Sequence, residues 1–175
     1  MKSMTMTQPD ADGGMIARGR PRVDGEASPE QVWCPVERAL DRIGTRSAML
    51  LLREAFYGEH RFDELARRSG LSVAVAAKRL RQLVADGLLT QRPYQEPGAR
   101  TRHEYVLTER GRELFGLLVA LADWGARLDG GQDGIEFVHA GCGARLNVTV
   151  RCEAGHEVPP GAAQARPAAD RGPEA

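Results

Sequence analysis

Arg61 to Tyr105 reads RFDELARRSGLSVAVAAKRLRQLVADGLLTQRPYQEPGARTRHEY, and its punctuation decides the fold. Phe62 to Arg68 carries a short helical pattern, Ser69-Gly70-Leu71-Ser72 a turn, and the run to Asp86 a second helical pattern that Gly87 stops. Two stretches of strand character follow, Leu88 to Tyr94 and His103 to Leu107, joined by a Pro- and Gly-containing, Arg-rich loop. Helix, turn, helix and basic hairpin is the layout of a winged helix-turn-helix, whose second helix enters the major groove of a duplex.

The two faces of the second helix differ in kind. Ser72 suits the N-cap, because its hydroxyl accepts from free N–H groups of the first turn. Ala76, Leu80, Leu83 and Val84 then recur at helical spacing and are expected to pack inward. The opposite face carries Ala74, Ala77, Lys78, Arg81 and Gln82, small at its start and cationic further on, so it can approach a duplex closely and pair with phosphates. Between Arg67 and Arg102 eight cations stand against Asp86 and Glu96, a net +6 in a chain whose 24 Lys and Arg balance 24 Asp and Glu. Localised charge of this kind is the footprint of phosphate binding, and a plain solvated surface is the alternative. The DNA-facing set is therefore Ser72, Ala74, Ala77, Lys78, Arg79 and Arg81 on the helix, with Arg92, Arg100 and Arg102 bracketing the wing.

The same residues belong to a longer ordered series. Cys34-Pro35-Val36, Ile43-Gly44, Arg61-Phe62, Glu64-Leu65, Gly70-Leu71-Ser72, Arg79-Leu80, Leu83 and Gly87-Leu88 are followed by Arg92, Tyr94, Glu104-Tyr105, Leu107-Thr108, Gly111 and Trp124. In that order they resemble the HxlR-type regulators, relatives of the MarR group of bacterial winged-helix transcription factors, over Cys34 to Gly125. The resemblance implies a mainly α chain with a small β-wing (α+β), double-stranded DNA as partner, and a homodimer that pairs the long C-terminal helix and the first helix across a two-fold axis. It also implies that Cys34 could sense oxidants or electrophiles, the alternative being a small buried residue without chemistry. Two positions depart from the family pattern: Arg46-Ser47 stands where a Lys-Trp pair is usual, and Ala76-Ala77 where Leu-Ser is usual.

Around this centre the chain divides by composition. Residues 1–29 lack periodic apolar pattern and read as a disordered arm in which Arg18, Arg20 and Arg22 could reach a minor groove. Residues 30–128 form the winged-helix domain, beginning with a helix that has Pro35 in its first turn and Val36, Leu40 and Ile43 on its apolar face. Arg46 to Tyr57 is a second helix, apolar nearly all round through Met49, Leu50, Leu51, Leu52 and Phe56. Thr108 caps a long helix to about Leu128, striped by Leu114, Leu117, Leu118, Leu121 and Trp124, which asks for a partner helix. Asp129 to Gly134 is a linker by composition, and residues 129–158 hold a short β-hairpin with strands at Ile135 to His139 and Leu146 to Arg151. Residues 159–175 read as a disordered tail.

His139, Cys142, Cys152 and His156 have the spacing H-x2-C-x9-C-x3-H, and four such donors around a hairpin could hold a structural zinc, an ordinary hairpin being the alternative. No Gly-rich phosphate loop or nucleophile elbow appears, so catalysis is not expected. Forty-two per cent apolar residues suffice for a core, but five per cent aromatic leaves Leu, Val and Ala to fill it. No apolar run is long enough for a membrane span, and the N-terminus lacks the apolar core of a signal peptide, which points to the cytoplasm. The expected function is a sequence-specific, homodimeric transcriptional repressor, open to a redox signal or to a small-molecule effector in the dimer cleft between the long helix and the head, where the small residues near Ser47 and Ala48 allow a cavity. A winged helix used for protein docking is the alternative.

Overall fold

Six leucines form the centre of one hydrophobic core: Leu51, Leu52, Leu65, Leu80, Leu83 and Leu89. Taking one leucine side chain out of water contributes about 1.5–3 kcal/mol. Aliphatic burial on this scale does the work that the sparse aromatic residues cannot.

The computed structural model describes residues 16–18, 34–95, 98, 100–128 and 135–165. In chain order its elements are β1 (Ile16–Arg18), α1 (Pro35–Ile43), α2 (Arg46–Phe56), α3 (Phe62–Arg68), α4 (Val73–Ala85), β2 (Leu89–Tyr94), β3 (Arg102–Leu107), α5 (Glu109–Arg112), α6 (Phe115–Leu128) and β4 (Ala163–Ala165). They fall into two units, one of Val32–Val148 and one combining Met1–Gln31 with Thr149–Ala175. The first is the expected mainly α body with a two-stranded antiparallel wing, β2 on β3, running in register from Leu89↔Leu107 to Tyr94↔Arg102.

Local chemistry explains the boundaries. Thr45 caps α2 by accepting from the Ala48 N–H at 3.2 Å, and Ser72 caps α4 by accepting from Val75 at 3.4 Å. Thr108 accepts from Gly111 at 3.0 Å and donates to the Gly87 carbonyl at 2.6 Å, tying the end of the wing to the end of α4. Gly87 itself has φ 70°, the left-handed conformation that ends a helix with no Cβ penalty. At Gly111 the constraint is space: a Cβ there would stand 2.1 Å from the Leu88 carbonyl oxygen.

Three expectations change. The helix expected as continuous from Thr108 is two, α5 and α6, separated at Glu113 and Leu114 and flanked by Gly111 and Gly116, the weakest helix formers after proline. The apolar face of α1, expected to pair across a two-fold axis, is left open in one chain: Ile43 is buried, but Val36 and Leu40 stay 63% and 56% exposed. The two strands expected at Ile135 to His139 and Leu146 to Arg151 are reduced to isolated bridges, Val138↔Arg145 in the first unit and Arg151↔Glu157 in the second. Each closes its own tight turn, because Gly143 and Gly155 adopt positive φ and reverse the chain early.

The third change concerns the tails. In the second unit, β1 and β4 pair in parallel, Ile16↔Ala163 to Arg18↔Ala165, within segments read as disordered. Three-residue pairing rests on backbone hydrogen bonds and leaves no apolar period to read. Arg20 and Arg22, the linker 129–134, Glu96 at the wing tip and the tail beyond 165 lie outside the described residues.

Gly111→Ala should destabilise the chain by about 1–3 kcal/mol, since its methyl meets backbone that cannot move cheaply. Gly116→Ala, whose Cβ would meet nothing within 4 Å, should be neutral or stabilise by up to about 1 kcal/mol. Thermal unfolding of the two variants checks the contrast, and equal shifts would contradict it.

Candidate nucleic-acid interface

The inward face of α4 is fixed by burial: Ala76, Leu80 and Leu83 are all 0% exposed, and Val84 packs against the same core. That places Ser72, Ala74, Lys78, Arg81 and Gln82 on the solvent side. Lys78 and Arg81 are exposed and make no ion pair among the described residues. They are the free cations of the helix. Ala77 and Arg79 are half-buried, one turn step toward the core from that face, so they flank it rather than lead it.

Two features of this face were not legible in the charge pattern. Val73 and Val75 are 69% and 45% exposed, an apolar contribution at the N-terminal end where a base edge or thymine methyl can be met. Gln82 is held back: its amide donates to both carboxylate oxygens of Asp86 at 3.2 Å, and Asp86 also accepts from Arg42 of α1 at 3.0 Å. The spacing Gln82–Asp86 is the i, i+4 signal that could have announced it.

The wing cations differ among themselves. Arg92 and Glu104 are cross-strand partners, and the Arg92 Nε donates to the Glu104 carboxylate at 2.6 Å, so this arginine braces the hairpin. Arg100 and Arg102 are exposed and form no ion pair among the described residues. Arg61, just before α3, lies with its guanidinium 5.1 Å from the centre of the Tyr94 ring, and the Tyr105 N–H donates to the His60 carbonyl at 2.8 Å. Those contacts lock the wing to the start of the helix-turn-helix. The Arg61 contribution was missed because the stacking partner is a strand residue far along the chain.

Elsewhere, Cys34 is a half-buried free thiol at the N-cap of α1, where it makes no capping hydrogen bond. His139 Nδ1 lies 3.2 Å from Cys142 Sγ in one turn, and Cys152 Sγ lies 3.6 Å from His156 Nδ1 in another. Each turn supplies two donors, half the set a tetrahedral zinc takes. Among the described residues no three His, Cys, Asp or Glu side chains come together as a metal ion would require. No helix among them is long and apolar enough to cross a membrane.

With this geometry in place, similarity to known proteins becomes informative. Residues 42–132 match the model of the HxlR-like helix-turn-helix family. The chain is 41% identical over 119 residues to an uncharacterised HTH-type transcriptional regulator of Mycobacterium tuberculosis, Rv3095, covering 67% of this chain and 74% of that protein. Among solved structures it is similar to PA1607, a candidate transcription factor, with a TM-score of 0.70 and 34% identity over 79% of this chain and 98% of that one. It is also similar to the redox regulator HypR in its reduced form, with a TM-score of 0.50 and 31% identity over 55% of this chain and 95% of that one. These relatives are regulators rather than enzymes. The chain is a transcriptional regulator of winged-helix type and belongs to the HxlR-like helix-turn-helix family.

Proposed function

We propose that the chain is a homodimeric repressor that binds a specific double-stranded DNA site and competes with polymerase at its promoter. The observation that carries this reading is the outer face of α4, where Lys78 and Arg81 stand free beside the small side chains of Ser72 and Ala74. A face of that shape fits a major groove: small residues permit close approach, and cations meet phosphate or the O6/N7 edge of guanine. Arg100 and Arg102 add cations at the wing, where contact with the sugar-phosphate backbone positions the protein without reading sequence. Arg92 is a poorer reader, because binding DNA would first have to release it from Glu104.

Dimerisation is supported by what a single chain leaves uncovered. Val36 and Leu40 on α1, and Leu117, Leu121, Trp124 and Leu128 on α6, are all more than 40% exposed. On α6 these positions recur at helical spacing, so they form one stripe rather than scattered residues. A second copy of the same chain covers such stripes symmetrically and brings a second reading helix to a half-site one DNA turn away. Use as a protein-docking module is the competing reading, and the free cations of the wing speak against it.

Two experiments test this. With a duplex selected from a random pool, Arg81→Ala should cost about 1–3 kcal/mol and relax the preferred sequence, whereas Arg100→Ala should weaken all duplexes alike. Unchanged binding by Arg81→Ala would contradict the placement of the reading face. In sedimentation, the double variant Leu40→Glu with Trp124→Glu should run as a folded monomer where the parent runs as a dimer. A parent that is monomeric at micromolar concentration would overturn the dimer.

A further inference from the structure

Behind the exposed stripe of α6 lies a second face of the same helix. Leu118, Ala122 and Gly125 turn toward α2, and with Met49, Leu50, Phe137 and Leu121 from the edge of the stripe they line an open cleft of about 440 Å³. The space is within the range of small-molecule sites. Among the described residues its lining is apolar apart from two groups on consecutive turns of the α2 end, Arg53 and Tyr57, and includes no acidic side chain. Phe137 closes one side through ring contacts with Tyr57 at 6.2 Å and Phe115 at 6.3 Å, while Arg145 bonds Asp123 at 2.9 Å and holds that segment on α6.

The polar groups have a chemical preference. Burial raises the Tyr57 pKa above the ordinary phenol value, so near neutral pH the hydroxyl is a neutral donor. Arg53 spends Nε and Nη2 on Glu54, at 2.9 and 2.6 Å, which leaves Nη1 available to an incoming group. A cation and a phenol donor at the rim of an apolar chamber match a carboxylate joined to a hydrocarbon body.

We propose that this cavity is an effector site for an amphipathic monocarboxylate, whose carboxylate meets Arg53 and Tyr57 and whose apolar body lies among Leu118, Ala122 and Gly125. The site has a built-in connection to the reading head. Glu54, 3% exposed, bonds Arg53 through Oε1 and Arg68 of α3 through Oε2 at 3.0 Å, and Arg68 also pairs with Glu59 at 3.3 Å. A ligand carboxylate on Nη1 shares the Arg53 charge with Glu54, which alters the charge balance on Glu54 and thereby its hold on Arg68. Arg68 is the last residue of α3, immediately before the turn that leads into α4. The regulatory sense of this connection rests on the DNA-binding reading above, but the binding itself does not.

Calorimetric titration of the full chain with octanoate, against 1-octanol as the uncharged comparison, tests the site without DNA. Saturable binding of octanoate is expected, tighter than octanol by about tenfold or more, and Arg53→Gln should erase the difference. A Cβ at Gly125 would meet nothing within 4 Å, so Gly125→Leu should fold as well as the parent and abolish binding by filling the cavity. No saturable binding at millimolar octanoate, equal affinity for octanol, or undiminished binding by a folded Gly125→Leu variant would overturn the site. Octanoate should also change amide exchange across residues 62–68 in the parent and not in Glu54→Gln, and unaltered exchange in the parent would overturn the connection to α3.

Discussion

Where the outer face of α4 points is decided by how its inner face is held. Leu80 and Leu83 share one core with Leu51 and Leu52 of α2 and Leu65 of α3, and Ala76 is fully buried on the same face. Close-packed interiors resist rotation, since turning α4 by one residue would bring Arg79 or Arg81 toward the leucines and expose Leu80. The direction of that outer face is thus a by-product of core packing. The usual large residue near the start of this helix is the small Ala76 here, fully buried, which makes the contact depend still more on the two leucines.

Around that contact, α2 serves two sides at once. One side supplies Leu51, Leu52 and Ala55 to the core; the other supplies Met49, Leu50, Arg53 and Tyr57 to the cavity against α6. Glu54 sits on the same helix as a buried carboxylate shared by two arginines. Buried charge is costly unless paired, so a carboxylate kept at that position with two guanidiniums is a constraint on both α2 and α3. The wing is fixed differently, by the Arg92–Glu104 pair across its strands and by Arg61 over Tyr94 at the loop end of β2. The body of the protein therefore holds helix and wing by separate means.

Much of this was legible in the sequence because it depends on local signals. Ser72, Gly87 and Thr108 mark ends of elements through their own hydroxyls or backbone freedom, and the leucine period marks which way α4 faces. What the sequence could not supply is nonlocal. Arg92 counts as a free cation until the register places Glu104 opposite it, and Gln82 counts as a reader until Asp86 and Arg42 are seen together. Val36 and Leu40 show in the sequence as an apolar face, but which surface would cover them does not. The interruption at Glu113 and Leu114 escaped because the apolar stripe runs unbroken through it. Of the metal-type donors, proximity was foreseen within the pairs His139–Cys142 and Cys152–His156, whose members are neighbours in sequence.

The central claim is that localised positive charge on α4 and the wing serves recognition of a particular duplex. The most direct measurement is binding of the unmodified chain to DNA upstream of its own gene and to a scrambled duplex, over a series of salt concentrations. The account predicts a steep loss of affinity with salt for both duplexes and, at fixed salt, an advantage of about a thousandfold or more for the genuine sequence. Equal affinity for the two duplexes at every salt concentration, or no binding to either, would contradict it.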